Sequence, residues 1–430
     1  MAWALWDWGT QPWSSVVTTF VFSVYLVGAA FGSANRTAAV QSICMTIAGV
    51  VVALTAPVLG QSADRSGRTM RNLRWLTWIL AILTATLFFV RPQPQYLWLG
   101  FGLLGLGTIV SEIAAVNYNA ELHRVAGARN IGTISGFGWG MGYLGGIVAL
   151  LLLFFAFIAP QRGLFGVTSA DGMNVRVAML VCALWTVVFT IPIFRALKDP
   201  PGVAPGARIG VLASYRRLGA TLAQLWRTDR PLVYFLVSSA LFRDGLNGVF
   251  AFGGVLATNT FGFSSSEVIV FGAAANIVAG LATIASGLAD DRLGPKPVIV
   301  GSLVGLLVTG SAIFAFHGAG KGFFWVFGLV LCVFVGPAQS ASRSYLARLV
   351  PEERSGEMFG LYATTGRVAS PLSPFLFGVF VGLGALVTGQ SNTQYWGIIG
   401  ILIVLLAGLV TMIPITPTRR SATASTQTAV

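Results

Sequence analysis

Apolar runs of about twenty residues recur along almost the whole chain, and that repetition leaves few folds open. A bilayer core about 30 Å thick needs roughly 20 apolar residues per helical span. Lipid offers no hydrogen bonds, so each segment must satisfy its own backbone, and continuous runs suit helices rather than the alternating pattern of a barrel. Of 430 residues, 55% are hydrophobic and 10% charged, against roughly 25% charged in soluble proteins. A water-soluble fold is therefore excluded.

The runs and their polar breaks predict twelve spans, near 13–32, 41–60, 73–90, 96–116, 131–158, 175–194, 231–257, 266–288, 297–316, 322–340, 357–385 and 393–414. Charge orients them. Arg36, Arg91, Arg162, Arg176 and Lys321 occupy odd-numbered connectors, and Arg243 and Arg367 fall inside spans; the other twenty of the 27 basic residues lie in even connectors and at the termini. This bias predicts that both termini are cytoplasmic. The net charge of +13 is spread over these connectors rather than gathered on a soluble face, so no nucleic-acid partner is expected. The first residues lack a basic n-region, so the first span itself is read as the insertion signal. Three lysines against twenty-four arginines, with the Ala/Gly/Val richness, suggest a GC-rich genome; the expected location is a bacterial plasma membrane.

The longest polar break divides the chain into a six-helix bundle over 1–194, a cytoplasmic linker over 195–230 and a second six-helix bundle over 231–416. In the linker, Leu212, Tyr215, Leu218, Leu222, Leu225 and Trp226 recur at spacings of three and four, with Arg216, Arg217 and Arg227 between them. This predicts a basic amphipathic helix on the inner leaflet. The Ser/Thr/Ala-rich tail, 417–430, is expected to be disordered.

A repeat supports the halving. Gly60, Asp64, Arg65 and Gly67 recur as Gly287, Asp291, Arg292 and Gly294, and Tyr118 and Leu122 as Tyr345 and Leu349. Internal repeats of this kind mark secondary transporters, with the substrate near the midplane between the halves. The first copy, Gly60-x-x-x-Asp64-Arg65-x-Gly67-Arg68, resembles the signature of the major facilitator superfamily, which implies a cytoplasmic gate formed by Gly60, Asp64, Arg65, Gly67, Arg68, Asp291 and Arg292. Pro295 replaces Arg68 in the second copy, which predicts weaker gate contacts there.

Scattered segments carry a finer resemblance: Trp3 to Trp8 with Asp7, Tyr118-Asn119-Ala120, Gly142 to Gly146, Arg243-Asp244-Gly245, Gln339 to Ser344 with Ser342 and Arg343, and Phe359 to Tyr362. Together they resemble the vacuole-effluxer family, whose fungal members are amino-acid exporters linked to autophagy. The resemblance covers nearly the whole chain and implies amino-acid efflux. Gly9-Thr10-Gln11 and Asn247 depart from its pattern and leave open the export of lipids, glycolipids or drugs.

Ionisable groups inside spans are costly and demand a partner or a purpose. Arg243 and Asp244 lie twelve to thirteen residues into the seventh span, about 18 Å deep. Adjacent helical residues point about 100° apart, so two separate contacts are needed. The expectation is that Asp244 pairs with Arg367 while Arg243, with Asn247 one turn away, faces the substrate. The alternative for the pair is a buried ionic lock that only fixes helix register. Glu112 is either a proton-titrating carboxylate or an internally paired acid. Tyr25 and Asn276 are candidate polar lining. The glycine-rich fifth span, Gly132 to Gly146, reads as close helix packing.

Cys44, Cys182 and Cys332 fall in three different spans, without metal or redox spacing. His123 and His317 sit near span ends, and neither protease, hydrolase nor nucleotide-binding motifs occur, so no enzyme, cofactor or metal is expected. The expected partners are a small-molecule substrate, protons and membrane lipids. A non-transporting sensor or scaffold is the reading from another class, and the midplane charges count against it. Nothing in the sequence specifies an oligomer, and a monomer is compatible with it.

Overall fold

The computed structural model describes residues 1–127, 129–199, 211–390 and 392–415. The tail 417–430 and residues 200–210 of the linker lie outside the described residues, as do the side chains of Leu212 and Leu222. Among the described residues the secondary structure is helical, with no strand. We label the long helices by span. α1 comprises Ala4–Pro12, a π-helical stretch Trp13–Phe20 and Phe22–Leu26. α2 is Ala34–Ser66, α3 Thr69–Thr86, α4 Leu97–Ala120, α5 Ile131–Leu153 and α6 Met173–Ala196. After the linker helix Val211–Thr228 come α7 Arg230–Asn259, α8 Ser265–Leu293, α9 Pro295–Ala315 and α10 Lys321–Leu349. α11 is interrupted, Ser355–Ala369 then Leu372–Thr388, and α12 is Gly397–Met412.

Ten helices among the described residues are long and apolar enough to cross a membrane, against the twelve expected. The two left over are α1 and α7. In α1, the Val21 amide reaches back five residues to the Val16 carbonyl at 2.9 Å, and the Thr18 and Thr19 hydroxyls donate to the Ser14 carbonyl at 2.8 and 2.7 Å. The helix widens there, as π-bulges do. α7 is an unbroken helix, but Arg243, Asp244 and Asn247 interrupt its apolar run.

Helices also run past their apolar segments. Arg343, read from the sequence as a connector residue, lies within α10 and is 2% exposed. Arg176 likewise lies within α6, paired with Asp171 at 3.0 Å and lying over the Phe88 ring. In each case the helix end is buried against other helices, so a polar residue there finds partners in protein rather than water.

Two seams join the first six helices to the last six. α2 packs along the first part of α11, and α5 packs along α8 and α10. The glycines of α5 serve that packing: a Cβ at Gly136 would lie 2.7 Å from the Thr283 carbonyl, and one at Gly140 2.7 Å from that of Gly280. The linker helix is docked rather than free, with the Tyr215 hydroxyl donating to the Leu54 carbonyl of α2 at 2.8 Å. Arg216, Arg217, Arg227 and Trp226 on that helix are exposed.

Candidate functional site

The end of the bundle carrying the N-terminus is closed by two related devices. The Asp64 carboxylate accepts the amide hydrogens of Gly356 and Glu357, both at 2.8 Å, at the start of α11. The Asp291 carboxylate accepts those of Gly132 and Thr133, at 2.7 and 2.8 Å, at the start of α5. Each aspartate thus caps a helix of the opposite half, where unpaired amides and the helix dipole favour an anion. Gly60 and Gly287 let the backbones meet: their Cβ atoms would lie 2.0 Å from the Gly356 carbonyl oxygen and 2.8 Å from that of Gly132. Gly67 takes the left-handed conformation that ends α2, with φ of 59°.

The arginines of the gate motif behave otherwise. Arg65, Arg68 and Arg292 make no ion pair among the described residues. Arg348 of α10 supplies the cation instead, 2.8 Å from Asp291 and 3.2 Å from Asp290. The expected weakness of the second copy is therefore corrected. Pro295 opens α9, where a missing amide hydrogen costs nothing, and Asp291 keeps both backbone contacts and gains Arg348. Beside this seam, His123 lies 3.0 Å from the Val350 carbonyl through Nε2, and Nδ1 is 3.2 Å from Ser355 Oγ. Glu121 beside it is buried, and its carboxyl is pushed up to about 7 by burial, which Arg124 at 2.7 Å partly offsets.

Deeper, Arg367 of α11 pairs with Glu112 of α4 across the two halves. The expected Asp244–Arg367 pair is corrected by the break in α11. Pro371 and Pro374 have no amide hydrogen, and Asp244 takes the orphan Ser373 amide of the restarted helix at 2.7 Å. Asp244 has no ion pair among the described residues. Arg243 lies over the Tyr362 ring at 3.8 Å and donates to the Tyr362 carbonyl at 3.0 Å. Asn247, one turn on, is exposed, and Phe250 beyond it meets Tyr143 of α5 with ring centres 6.0 Å apart. Glu112, Arg367 and Arg243 thus gather round one turn of α11, an acid and two cations able to hold a zwitterion.

Tyr25 and Asn276 lie apart from that cluster. Tyr25 donates to the Val90 carbonyl at 3.2 Å and lines an apolar cavity of about 440 Å³ at the opposite end, with Phe20, Val24, Leu150, Phe154 and Ile269. Asn276 donates to the Gly272 carbonyl of its own helix at 2.8 Å. The residues singled out by family resemblance mostly converge: Asp7, Tyr118 and Asn119 surround Arg343, Ser342 lies 2.8 Å from the Tyr362 hydroxyl, and Gln339 is half-buried one turn before Arg343. Sequence reasoning missed Arg348, Glu357, Ser135 and Trp139. For Arg348 the signal was its place five residues beyond Arg343 on α10.

Residues 23–424 match the profile of a family described as "Vacuole effluxer Atg22 like". The chain is 27% identical over 411 residues to an uncharacterized MFS-type transporter, YxiO, of Bacillus subtilis (strain 168), covering 94% of this chain and 92% of that one. It is 23% identical over 316 residues to autophagy-related protein 22 of Yarrowia lipolytica (strain CLIB 122 / E 150), covering 65% of this chain and spanning 51% of that protein. Among solved structures, the proton:xylose symporter XylE superposes with a TM-score of 0.70 at 14% identity, covering 96% of this chain and 94% of that one. A bacterial homologue of the iron transporter ferroportin, in an outward-facing state, superposes with 0.68 at 17% identity, covering 96% and 97%. The fold is that of the major facilitator superfamily.

Proposed function

The chain belongs to the family of Atg22-like vacuole effluxers, and from that premise we propose that it exports a small amino-acid-like solute by proton-coupled alternating access. It is a transporter of the major facilitator type. In this reading, residues 1–194 and 231–416 move as two halves joined by the linker 195–230, with both termini in the cytoplasm of a bacterial cell. The two aspartate-capped seams are then a closed cytoplasmic gate, and the opposite end is the side of release.

The observation that carries the reading is the Glu112–Arg367 pair bridging α4 and α11, with Arg243 on the adjacent Tyr362. A zwitterion would offer its carboxylate to Arg243 and its ammonium to Glu112, in competition with Arg367. Asp244, as a helix cap, holds the break in α11 and takes no part in coupling.

The apolar cavity beside α5 and α8 favours a second reading, export of a lipid, glycolipid or drug. One experiment separates them: uptake of labelled leucine and tyrosine into proteoliposomes with and without an imposed pH gradient. Gradient-driven uptake that Glu112→Gln abolishes and Asp244→Asn only weakens is the expected outcome. Folded protein that takes up neither amino acid moves lipid or drug export to the front.

A further inference from the structure

Arg343 belongs to the second half of the chain, on α10, yet every group that holds it comes from α1, α4 and α5. Its Nε donates to Ser135 Oγ at 3.0 Å, Nη1 to Asn119 Oδ1 at 3.0 Å and Nη2 to the Ser135 carbonyl at 2.6 Å. Asp7 Oδ2, 3.6 Å from Nη1, is its one ion-pair partner among the described residues. The guanidinium carbon lies 5.0 Å from the ring centres of both Trp3 and Trp139 and 5.8 Å from that of Tyr118. Gly138 makes the room: a Cβ there would sit 2.5 Å from the Trp3 ring and 3.2 Å from Asp7 Oδ2.

Two indoles, a phenol and a carboxylate disposed about a cation form a receptor for an organic cation. The cage is also built to persist without Arg343. Trp3 stacks on Tyr118 with ring centres 4.3 Å apart and donates from Nε1 to the Tyr118 carbonyl at 3.2 Å, and the Tyr118 hydroxyl donates to Asp7 at 2.8 Å. Opening this end requires α10 to withdraw and take its guanidinium with it. Asp7 would then be left in a low-dielectric site without its cation, a costly state unless another cation replaces it.

We propose that this cage binds the cationic end of the transported solute, a primary ammonium or guanidinium group, and that Arg343 is the tethered cation that replaces it when the end closes. The inference rests on the alternating-access reading above. It gives export a direction: the returning Arg343 expels the solute's cation toward Arg243, Glu112 and Arg367. The two places are already linked, because the hydroxyl of Tyr362, whose ring carries Arg243, lies 2.8 Å from Ser342 Oγ, next to Arg343.

The test uses the purified full-length protein in detergent, with methylguanidinium and methylammonium as probes and N-methylurea as the neutral control, read by tryptophan fluorescence. Arg343→Ala should bind the two cations at least about tenfold more tightly than wild type, at 1.4 kcal/mol per tenfold, and should ignore N-methylurea. Asp7→Asn added to Arg343→Ala should erase the gain. A folded Arg343→Ala with no gain, or a gain that survives Asp7→Asn, overturns the proposal; Arg343→Gln, closer in shape, serves if the alanine variant does not fold. Motion is read separately, by maleimide labelling of Ala63→Cys, a position 1% exposed in the closed state. Labelling that never varies with conditions defeats alternating access, whereas the affinity of the opened cage stands or falls independently of it.

Discussion

The two seams that close the terminal end descend from one repeated motif but are held by different means. At α2–α11 the backbones touch through Gly60, and Asp64 caps α11 with no ion pair of its own among the described residues. At α5–α8, Asp291 caps α5 in the same way, but Arg348 also ties it to Asp290, and Ser344 binds Asp290 from α10. The repeat has therefore kept the helix cap, which needs only a carboxylate facing two amides. At the second seam the cation comes from α10 rather than from the turn. The first seam has the closer backbone contact and the second adds a cation to its cap, so each should respond differently to perturbation.

Steric damage should be largest at the first seam. Gly60→Val places a methyl-bearing carbon where only 2.0 Å separates it from the Gly356 carbonyl, against 2.8 Å for Gly287→Val and the Gly132 carbonyl. Overpacking costs about 1–3 kcal/mol, so Gly60→Val should speed maleimide labelling of Ala63→Cys by about a hundredfold. That assay requires Cys44, Cys182 and Cys332 replaced by alanine. Equal effects of the two valines would erase the distinction drawn between the seams.

Removing the caps comes next. Losing a side-chain cap at a helix start costs about 0.5–2 kcal/mol. Asp64→Ala strands two amides, while Asp291→Ala strands two amides and leaves Arg348 with Asp290 alone, so its effect should be larger. The reporter for that seam is Ser340→Cys, buried on α10 against Ser135. A smaller effect at Asp291 than at Asp64 would mean that Arg348 contributes nothing to closure. Arg348 itself is 26% exposed, so its pairs are partly screened. Arg348→Ala should loosen the second seam by roughly 1 kcal/mol and remove its sensitivity to salt, leaving the first seam unmoved.

How much of this was legible follows from what lipid enforces. Long apolar runs must be helices, so most spans were readable, as was a carboxylate in each repeated turn. The π-helical stretch of α1 was not, because Trp13 to Phe20 reads as an ordinary apolar run, and the close seating of Trp13 against Gly107 appears only in the folded chain. The partner of Asp244 was misread for want of weighing Pro371 and Pro374, which break α11 and create the amide that Asp244 caps. Arg343 looked like a connector charge, since sequence shows where apolar character stops but not where a helix stops. Its aromatic cage draws on α1, α4 and α5, and only the folded chain brings Trp3, Tyr118 and Trp139 together.

A separate, pH-dependent effect belongs to Glu121, on the turn between α4 and α5 that braces both seams. Its carboxyl is 2% exposed and bound to Arg124, whose other terminal nitrogen donates to the Lys198 carbonyl at 2.7 Å. Burial raises the carboxyl from 4.5 to about 7, against the opposing pull of Arg124. The folded protein thus holds this proton more tightly than the unfolded chain does. The resulting stability is fully present below about 4.5 and is lost as pH rises through about 7. Thermal unfolding of the wild type between pH 5 and 8 should therefore contain a downward slope amounting to roughly 1–3 kcal/mol. Glu121→Gln keeps a hydrogen-bonding side chain at the position but cannot titrate, so its curve should lack that component. Parallel curves for the two proteins would show that Glu121 does not change its protonation across this range, and the turn would then brace the seams by packing and the Arg124 contact alone.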